Sequence, residues 1–336
     1  MAPRSMSRLA ACALVLLLFG PSIAHGGQVR VDVGVAGPNG PTFSPYVVNI
    51  NQGDHVIWVT TAGNHTVTNW TLPADSLGSS FDGTIFDSDA GGTHFGQGTT
   101  TRYSWKSDRT GDLPYVCVPH IPDMTGRVIV SPLTIPPTRP VADFRITEVQ
   151  FNVAGGADLV EIANLGQAAG DLRSFRLTAI GTGTGVVISA GNFPVAAGAR
   201  VTIHTGQTGT NTPTDIYLSA VGNLGDASGS VALYAPYSLS PGNALTNANM
   251  MLDFVQWGAG AQPNEATANL ASFWTAGTSI NGVAATHSIE YCANAALDHG
   301  VNRWAEIFPP NFGGNSDCTT PVLSHSWGRL KIIYRQ

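Results

Sequence analysis

Alternating apolar and polar positions mark the first folded part of this chain. Residues 29–35 alternate valine with polar or small residues, and a period of two predicts a strand with one buried face. Gly, Asn and Asp punctuate further short apolar runs, which are typical of strands joined by turns. A longer segment, 72–100, is rich in Gly, Ser, Thr and Asp and is predicted to be an irregular connection. The additional strands are predicted at 46–50, 55–60, 101–105, 113–117 and 127–130.

A second run of strand patterns follows a proline-rich stretch at 134–140. Short strands with Gly-rich turns at this spacing predict another sandwich. No segment here has the hydrophobic periodicity of a helix. The chain is therefore predicted to be all-β, with one β-sandwich after another. The strands of the second sandwich are predicted at 146–149, 159–164, 175–180, 200–204, 230–234 and 251–257.

The N-terminus has the pattern of a secretory signal. Arg4 and Arg8 precede the apolar run 9–19, which is too short to span a membrane. No later run is long enough either, so we expect no membrane span and a secreted, periplasmic or cell-surface location. The predicted divisions are a signal peptide at 1–24, a first domain at 25–134, a linker at 135–141, a second domain at 142–316 and a basic tail at 317–336.

Composition narrows the classes of partner. The net charge of −6 becomes −8 when the predicted signal removes two arginines and no acid. A chain this acidic is poorly suited to nucleic acid or to anionic membrane surfaces. Only 11% of residues are charged and 39 are glycine, which fits sandwiches with many tight turns better than helical domains.

Candidate chemistry is concentrated in Tyr115–Met124. This stretch places a thiolate at Cys117, an imidazole at His120 and a thioether at Met124, while a second imidazole, His65, lies upstream. A Cys or Met alone is usually core filler. The four residues together, in the order His, Cys, His, Met, form the ligand set of a blue-copper electron-transfer site. The pattern therefore predicts one type-1 copper ion.

The surrounding sequence resembles plastocyanin and its cupredoxin relatives over residues 28–132. The resemblance is carried by Gly53–Trp58, Asn64–Val67, Tyr115–His120 and Met124–Val130. It implies a Greek-key β-sandwich with copper held at one end by His65, Cys117, His120 and Met124. The three residues between His120 and Met124 depart from the family pattern, and loop length varies among cupredoxins.

The later segment, 142–316, resembles the lamin-tail domain, an immunoglobulin-like module. The resemblance runs through Ile146–Val149, Leu159–Asn164 and Asp253–Gly258 and implies a binding or spacing role. Acidic residues in this segment could suggest paired catalytic carboxylates, but we interpret them as structural because nothing fixes their separation. They are Glu148, Asp158, Glu161 and Asp171.

One-electron transfer is the predicted function, and we expect no enzyme activity. The loop has a single Cys, whereas a binuclear electron-transfer copper centre needs two. Val116 and Val118 flank Cys117 where multicopper oxidases have histidines. A redox partner protein is expected to dock near His120. The alternative is a cell-surface binding or structural protein that uses the first domain as a scaffold and binds a surface ligand through the second. Copper storage is the least favoured of the predicted functions, because the chain has few additional methionines that could bind copper.

The remaining cysteines predict a disulfide. Cys12 leaves with the signal and Cys117 is assigned to copper, so Cys292 and Cys318 are left as a pair. An oxidising compartment favours a bond between them.

Overall fold

The computed structural model describes residues 26–69, 85–88, 102–132, 140–153, 155, 157–179, 185–236, 245–292 and 300–315. The predicted signal peptide, most of the linker and the C-terminal tail lie outside these residues. The described part is nearly all β, as predicted. Within it, no helix is both long enough and apolar enough to cross a membrane.

The first sandwich consists of two four-stranded sheets. One sheet has the order β2-β1-β4-β6 and the other β3-β8-β7-β5. Pairing is parallel between β1 and β4 and between β3 and β8, and it is antiparallel elsewhere. The strands are β1 (Gln28–Gly37), β2 (Gly40–Ser44), β3 (Val47–Asn51), β4 (His55–Thr60), β5 (Thr68–Asn69), β6 (Arg102–Lys106), β7 (Gly111–Val116) and β8 (Thr125–Ser131).

Aromatic rings fill the core of this sandwich. Trp58 is fully buried, and its ring lies 5.3 Å from Phe86 and 5.4 Å from Tyr115 between centroids. Val31 and Val33 point into the same core with no exposed surface. The predicted alternation along the first strand is therefore confirmed at its centre.

The second sandwich has a six-stranded sheet, β16-β15-β10-β9-β19-β20, and a four-stranded sheet, β13-β12-β17-β18, with a small β11-β14 pair. Two predicted strands, 159–164 and 251–257, have the predicted bounds. A short helix, α1 (Glu265–Leu270), was not predicted. The strands are β9 (Phe144–Gln150), β10 (Leu159–Asn164), β11 (Gly170–Asp171), β12 (Arg176–Thr178), β13 (Val186–Val187), β14 (Pro194–Val195), β15 (Arg200–Thr205), β16 (Asp215–Leu218), β17 (Gly229–Tyr234), β18 (Met251–Trp257), β19 (Ser288–Tyr291) and β20 (Trp304–Ile307).

The two sandwiches share an interface that the sequence reasoning did not anticipate. Ile57 and Val59 on β4 belong to the hydrophobic core of the second sandwich, whereas Val56 and Trp58 belong to that of the first. His55 Nε2 lies 2.7 Å from the carbonyl oxygen of Asn249 across the same interface. Strand β4 is therefore covered on both faces. Its unbroken apolar run is typical of such strands and could have indicated the contact.

Candidate metal centre

The four predicted ligands lie on connections at one end of the first sandwich. His65 follows β4, and Cys117 comes directly after β7. His120 ends a 3-10 turn, Val118–His120, and Met124 immediately precedes β8. Two strands that are neighbours in one sheet thus bring the last three residues together, and His65 arrives from the facing sheet.

Three donor atoms converge at this end. The Cys117 Sγ lies 3.2 Å from Nδ1 of His120 and 3.6 Å from Nδ1 of His65. All three atoms lie within 4.8 Å of one another. Within the described ranges, this is the one group of three or more His, Cys, Asp or Glu residues arranged in this way.

The Met124 backbone closes the ligand loop. Met124 N–H donates to the His120 carbonyl at 2.9 Å, and Cys117 N–H donates to the Met124 carbonyl at 2.9 Å. His120 N–H in turn donates to the Cys117 carbonyl at 3.0 Å. Met124 and Cys117 have no exposed surface. The short Cys-to-Met loop is thereby held as one hydrogen-bonded unit with its thioether inside.

Thr66 ties the His65 connection to the Cys117 loop. Its backbone N–H donates to the Cys117 Sγ at 3.3 Å, and its Oγ1 accepts from Val118 N–H at 2.7 Å. Asn64, on the other side of His65, is exposed. A β-branched hydroxyl residue directly after the ligand His was the signal available in the sequence.

The His65 ring is oriented by its far nitrogen. Nε2 lies 2.8 Å from the Ala62 carbonyl oxygen. Because a carbonyl only accepts, Nε2 carries the proton, and a neutral ring then presents the lone pair of Nδ1 to the site. Gly34 packs against the same ring edge, and a Cβ added there would lie 2.6 Å from Nε2. The ring has little room to move.

Burial sets the protonation of the donors. It lowers the pKa of His65, an effect that the Ala62 hydrogen bond opposes and the nearby His120 ring reinforces. Burial also raises the pKa of the Cys117 thiol, partly offset by hydrogen bonds from Thr66 and His120. Both shifts favour the uncharged forms, which are the neutral imidazole of His65 and the protonated thiol of Cys117.

The spacing of the donors fits one ion. Metal–nitrogen and metal–sulfur bonds of about 2.0 and 2.3 Å place the donors of a trigonal site about 3.7 Å apart. The observed sulfur-to-nitrogen separations, 3.2 and 3.6 Å, are slightly shorter. Only small side-chain shifts separate this arrangement from a trigonal site made of two nitrogens and one sulfur.

His120 is the candidate donor nearest to solvent. It is partly exposed, whereas His65 is 2% exposed. Val118 and Ile121 beside it are 41% and 36% exposed. A surface pocket of about 450 Å³ is lined by both histidine rings, Pro41 and Pro119. An apolar surface therefore surrounds the exposed edge of the site.

The predicted disulfide is described at one end only. Cys292 is disulfide-bonded, but Cys318 lies outside the described residues, so the pairing stays a prediction. Cys117 is a free cysteine.

The four acidic residues that could suggest paired catalytic carboxylates each have a structural partner. Glu148 and Glu161 face each other on β9 and β10, where Ser288 donates to Glu148 and Arg200 pairs with Glu161. Asp158 accepts from the Leu224 N–H, and Asp171 pairs with Arg30.

Comparison with known families identifies the first sandwich. Residues 29–131 match the family model of copper binding proteins of the plastocyanin/azurin family. The resemblance is thereby confirmed for that part of the chain, which is similar to copper-binding domains of the plastocyanin/azurin family. The match does not extend to residues 142–316, so the lamin-tail resemblance stays a prediction. No curated protein matches the chain.

Solved structures of copper proteins are similar to about a third of the chain. Oxidised plastocyanin from Dryopteris crassirhizoma is 18% identical over 31% of this chain and 100% of its own, with a TM-score of 0.24. Pseudoazurin from Methylobacterium extorquens AM1 is 22% identical, and the match covers 31% of this chain and 75% of the pseudoazurin, with a TM-score of 0.22. The copper-containing nitrite reductase from Thermus scotoductus is 21% identical over 32% and 23%, with a TM-score of 0.23.

Proposed function

We propose that this protein is an exported type-1 copper protein that carries single electrons. The convergence of one thiol sulfur and two Nδ1 atoms at one end of the first sandwich is the observation that carries the proposal. His65, Cys117 and His120 would hold the ion, and Met124 would be a fourth, weaker ligand. Copper, when bound, supplies a one-electron couple.

The chain's own residues support this role. Thr66 and Ala62 fix the sulfur and the His65 ring before any metal arrives, and a preformed site needs little rearrangement between oxidation states. The hydrogen-bonded loop from Cys117 to Met124 restricts the thioether in the same way.

A partner would dock at the edge of His120. The exposed Val118 and Ile121 and the pocket beside Pro119 give an apolar contact surface around the most accessible ligand. The net negative charge of the chain favours a partner with a basic surface, because opposite charges speed association. Export would follow from the predicted signal at 1–24.

We propose no substrate turnover. The valines on both sides of Cys117 and the absence of any His-x-His pair in the sequence leave no path from this site to a trinuclear copper cluster. Among the described residues, the group at Cys117 is the single candidate metal cluster.

Voltammetry of the copper-loaded protein tests the proposal. We expect one reversible one-electron wave. Met124→Leu should keep the wave and raise its potential, because the axial donor is lost. Leu270→Met, on the exposed side of α1, is the control and should leave the potential unchanged. An irreversible wave, or a potential insensitive to Met124→Leu, would contradict the proposed site.

A further inference from the structure

A cavity lies between the two sandwiches, away from the copper ligands. It has a volume of about 240 Å³, and both sandwiches line it. Water occupies about 30 Å³ per molecule in the liquid, so the space is large enough for a small organic molecule. Ligand sites occur preferentially at domain interfaces.

One wall of this cavity is apolar. Ile57 and Val59 come from β4, and Ala142, Phe144 and Phe175 come from the second sandwich. All five are buried. This wall suits a hydrocarbon or aromatic body.

The other wall is cationic. Arg30, Arg102 and Arg173 line it together with Asp171, so three guanidinium charges stand against one carboxylate. Both oxygens of Asp171 are already engaged. Oδ2 pairs with Arg30, and Oδ1 accepts the backbone N–H groups of Arg173 and Phe193 at 2.9 and 2.8 Å.

With Asp32 included, the described residues at this wall carry three guanidinium charges against two carboxylates. Asp32, just outside the cavity, pairs with Arg30 at 2.7 Å. The Arg173 side chain donates to two neutral oxygens, those of Ala190 and Asn192. Burial, and then the charges of Arg173 and Arg30, lower the pKa of Arg102 to about 10. An anion in the cavity would offset this repulsion.

We propose that this cavity binds a small organic monocarboxylate with an apolar body. The carboxylate would face Arg102 and Arg173, and the body would lie against Ile57 and Phe175. Guanidinium groups match carboxylates through paired, charge-assisted hydrogen bonds, and the apolar wall selects against inorganic anions. No residue of the copper site is part of this cavity, so binding is expected with or without copper.

Calorimetry on the full-length protein, with phenylacetate as probe and phenylacetamide as its neutral match, tests this assignment. We expect phenylacetate to bind with a Kd of about 1 mM or lower and the amide to bind about tenfold or more weakly. Copper-free and copper-loaded protein should give the same result, which separates this test from that of the copper site.

Three variants identify the site. Arg102→Met should weaken phenylacetate binding about tenfold. Arg173 is more accessible than Arg102, and Arg173→Met should also weaken phenylacetate binding, which keeps the test available if Arg102→Met fails to fold. Asp171→Asn should tighten it, because a competing negative charge is removed while the side chain can still accept from backbone N–H groups. Arg109→Met is the control: Arg109 is exposed and paired with Asp108, and its loss should have no effect.

The assignment would be overturned by any of three results. The first is no heat of binding up to about 10 mM phenylacetate. The second is equal binding of the acid and the amide, and the third is equal phenylacetate binding by wild type and the folded cavity variants.

Discussion

Gly34 gives the sharpest test of how the fold positions His65, a proposed copper ligand. Its φ of +83° is a backbone conformation that residues other than glycine rarely adopt. A Cβ there would lie 2.2 Å from the Ala62 carbonyl oxygen and 2.6 Å from Nε2 of His65. Gly34→Ala should therefore strain the backbone and also push the imidazole out of place.

The size of the displacement follows from ordinary contact distances. Van der Waals contact with a Cβ begins at 3.4 Å, so the His65 ring must retreat by about 0.8 Å from its present 2.6 Å. That shift disturbs the 3.6 Å approach of Nδ1 to the Cys117 sulfur. Disturbing the groups that orient a ligand typically costs about 10–100-fold in metal affinity, and we expect Gly34→Ala to lower copper affinity by about that factor.

Gly40→Ala is the matched control. Gly40 also has a positive φ, +123°, in the same sandwich, but nothing lies within 4 Å of an added Cβ. Both variants should lose about 1–2 kcal/mol of unfolding free energy from backbone strain, measured by denaturant titration. Gly34→Ala should lose more than Gly40→Ala, because its Cβ also meets the Ala62 carbonyl oxygen. Gly34→Ala alone should lose copper affinity, measured by chelator competition. Equal copper affinity in the two variants would refute the idea that Gly34 positions His65.

Three further predictions concern protons, a hydrogen bond and the disulfide. Because burial raises the pKa of the Cys117 thiol, copper must displace the thiol proton when it binds. The apparent copper(I) affinity should therefore rise about tenfold per pH unit between about pH 6 and 8. An affinity that does not change with pH in chelator competition would contradict this. Thr66→Val removes the acceptor of the Val118 N–H and should cost about 1–2 kcal/mol of unfolding free energy, whereas Thr66→Ser should keep most of it. A Cys292–Cys318 disulfide should contribute about 3 kcal/mol, and free thiols at both positions in an unreduced digest would rule it out.

The candidate metal centre could be predicted because its donor residues are close together in the sequence. Cys117, His120 and Met124 share one loop, and few reasons other than copper place those three side chains together. Strand patterns then fixed which ends of the sheets they occupy. The contact of Gly34 with His65 joins positions that no spacing rule connects, so it required the structure.

The contact between the sandwiches was missed for a different reason. A proline-rich linker and two full sets of strands favour independent domains, and the residues that make the contact look like ordinary strand residues. Gln28 is an example: it reads as the polar face of β1, yet it is 6% exposed and its Oε1 accepts the Phe144 N–H at 2.9 Å. Only the continuous apolar run in β4 indicated that a strand of the first sandwich is buried on both faces.

Copper(II) titration of the purified protein, followed by visible absorption, tests the central claim most directly. An intense thiolate-to-copper band should grow and saturate at one ion per chain, and Cys117→Ala should show no band while remaining folded. A colourless wild-type protein whose Cys117 still reacts as a free thiol after copper addition would contradict the proposed site.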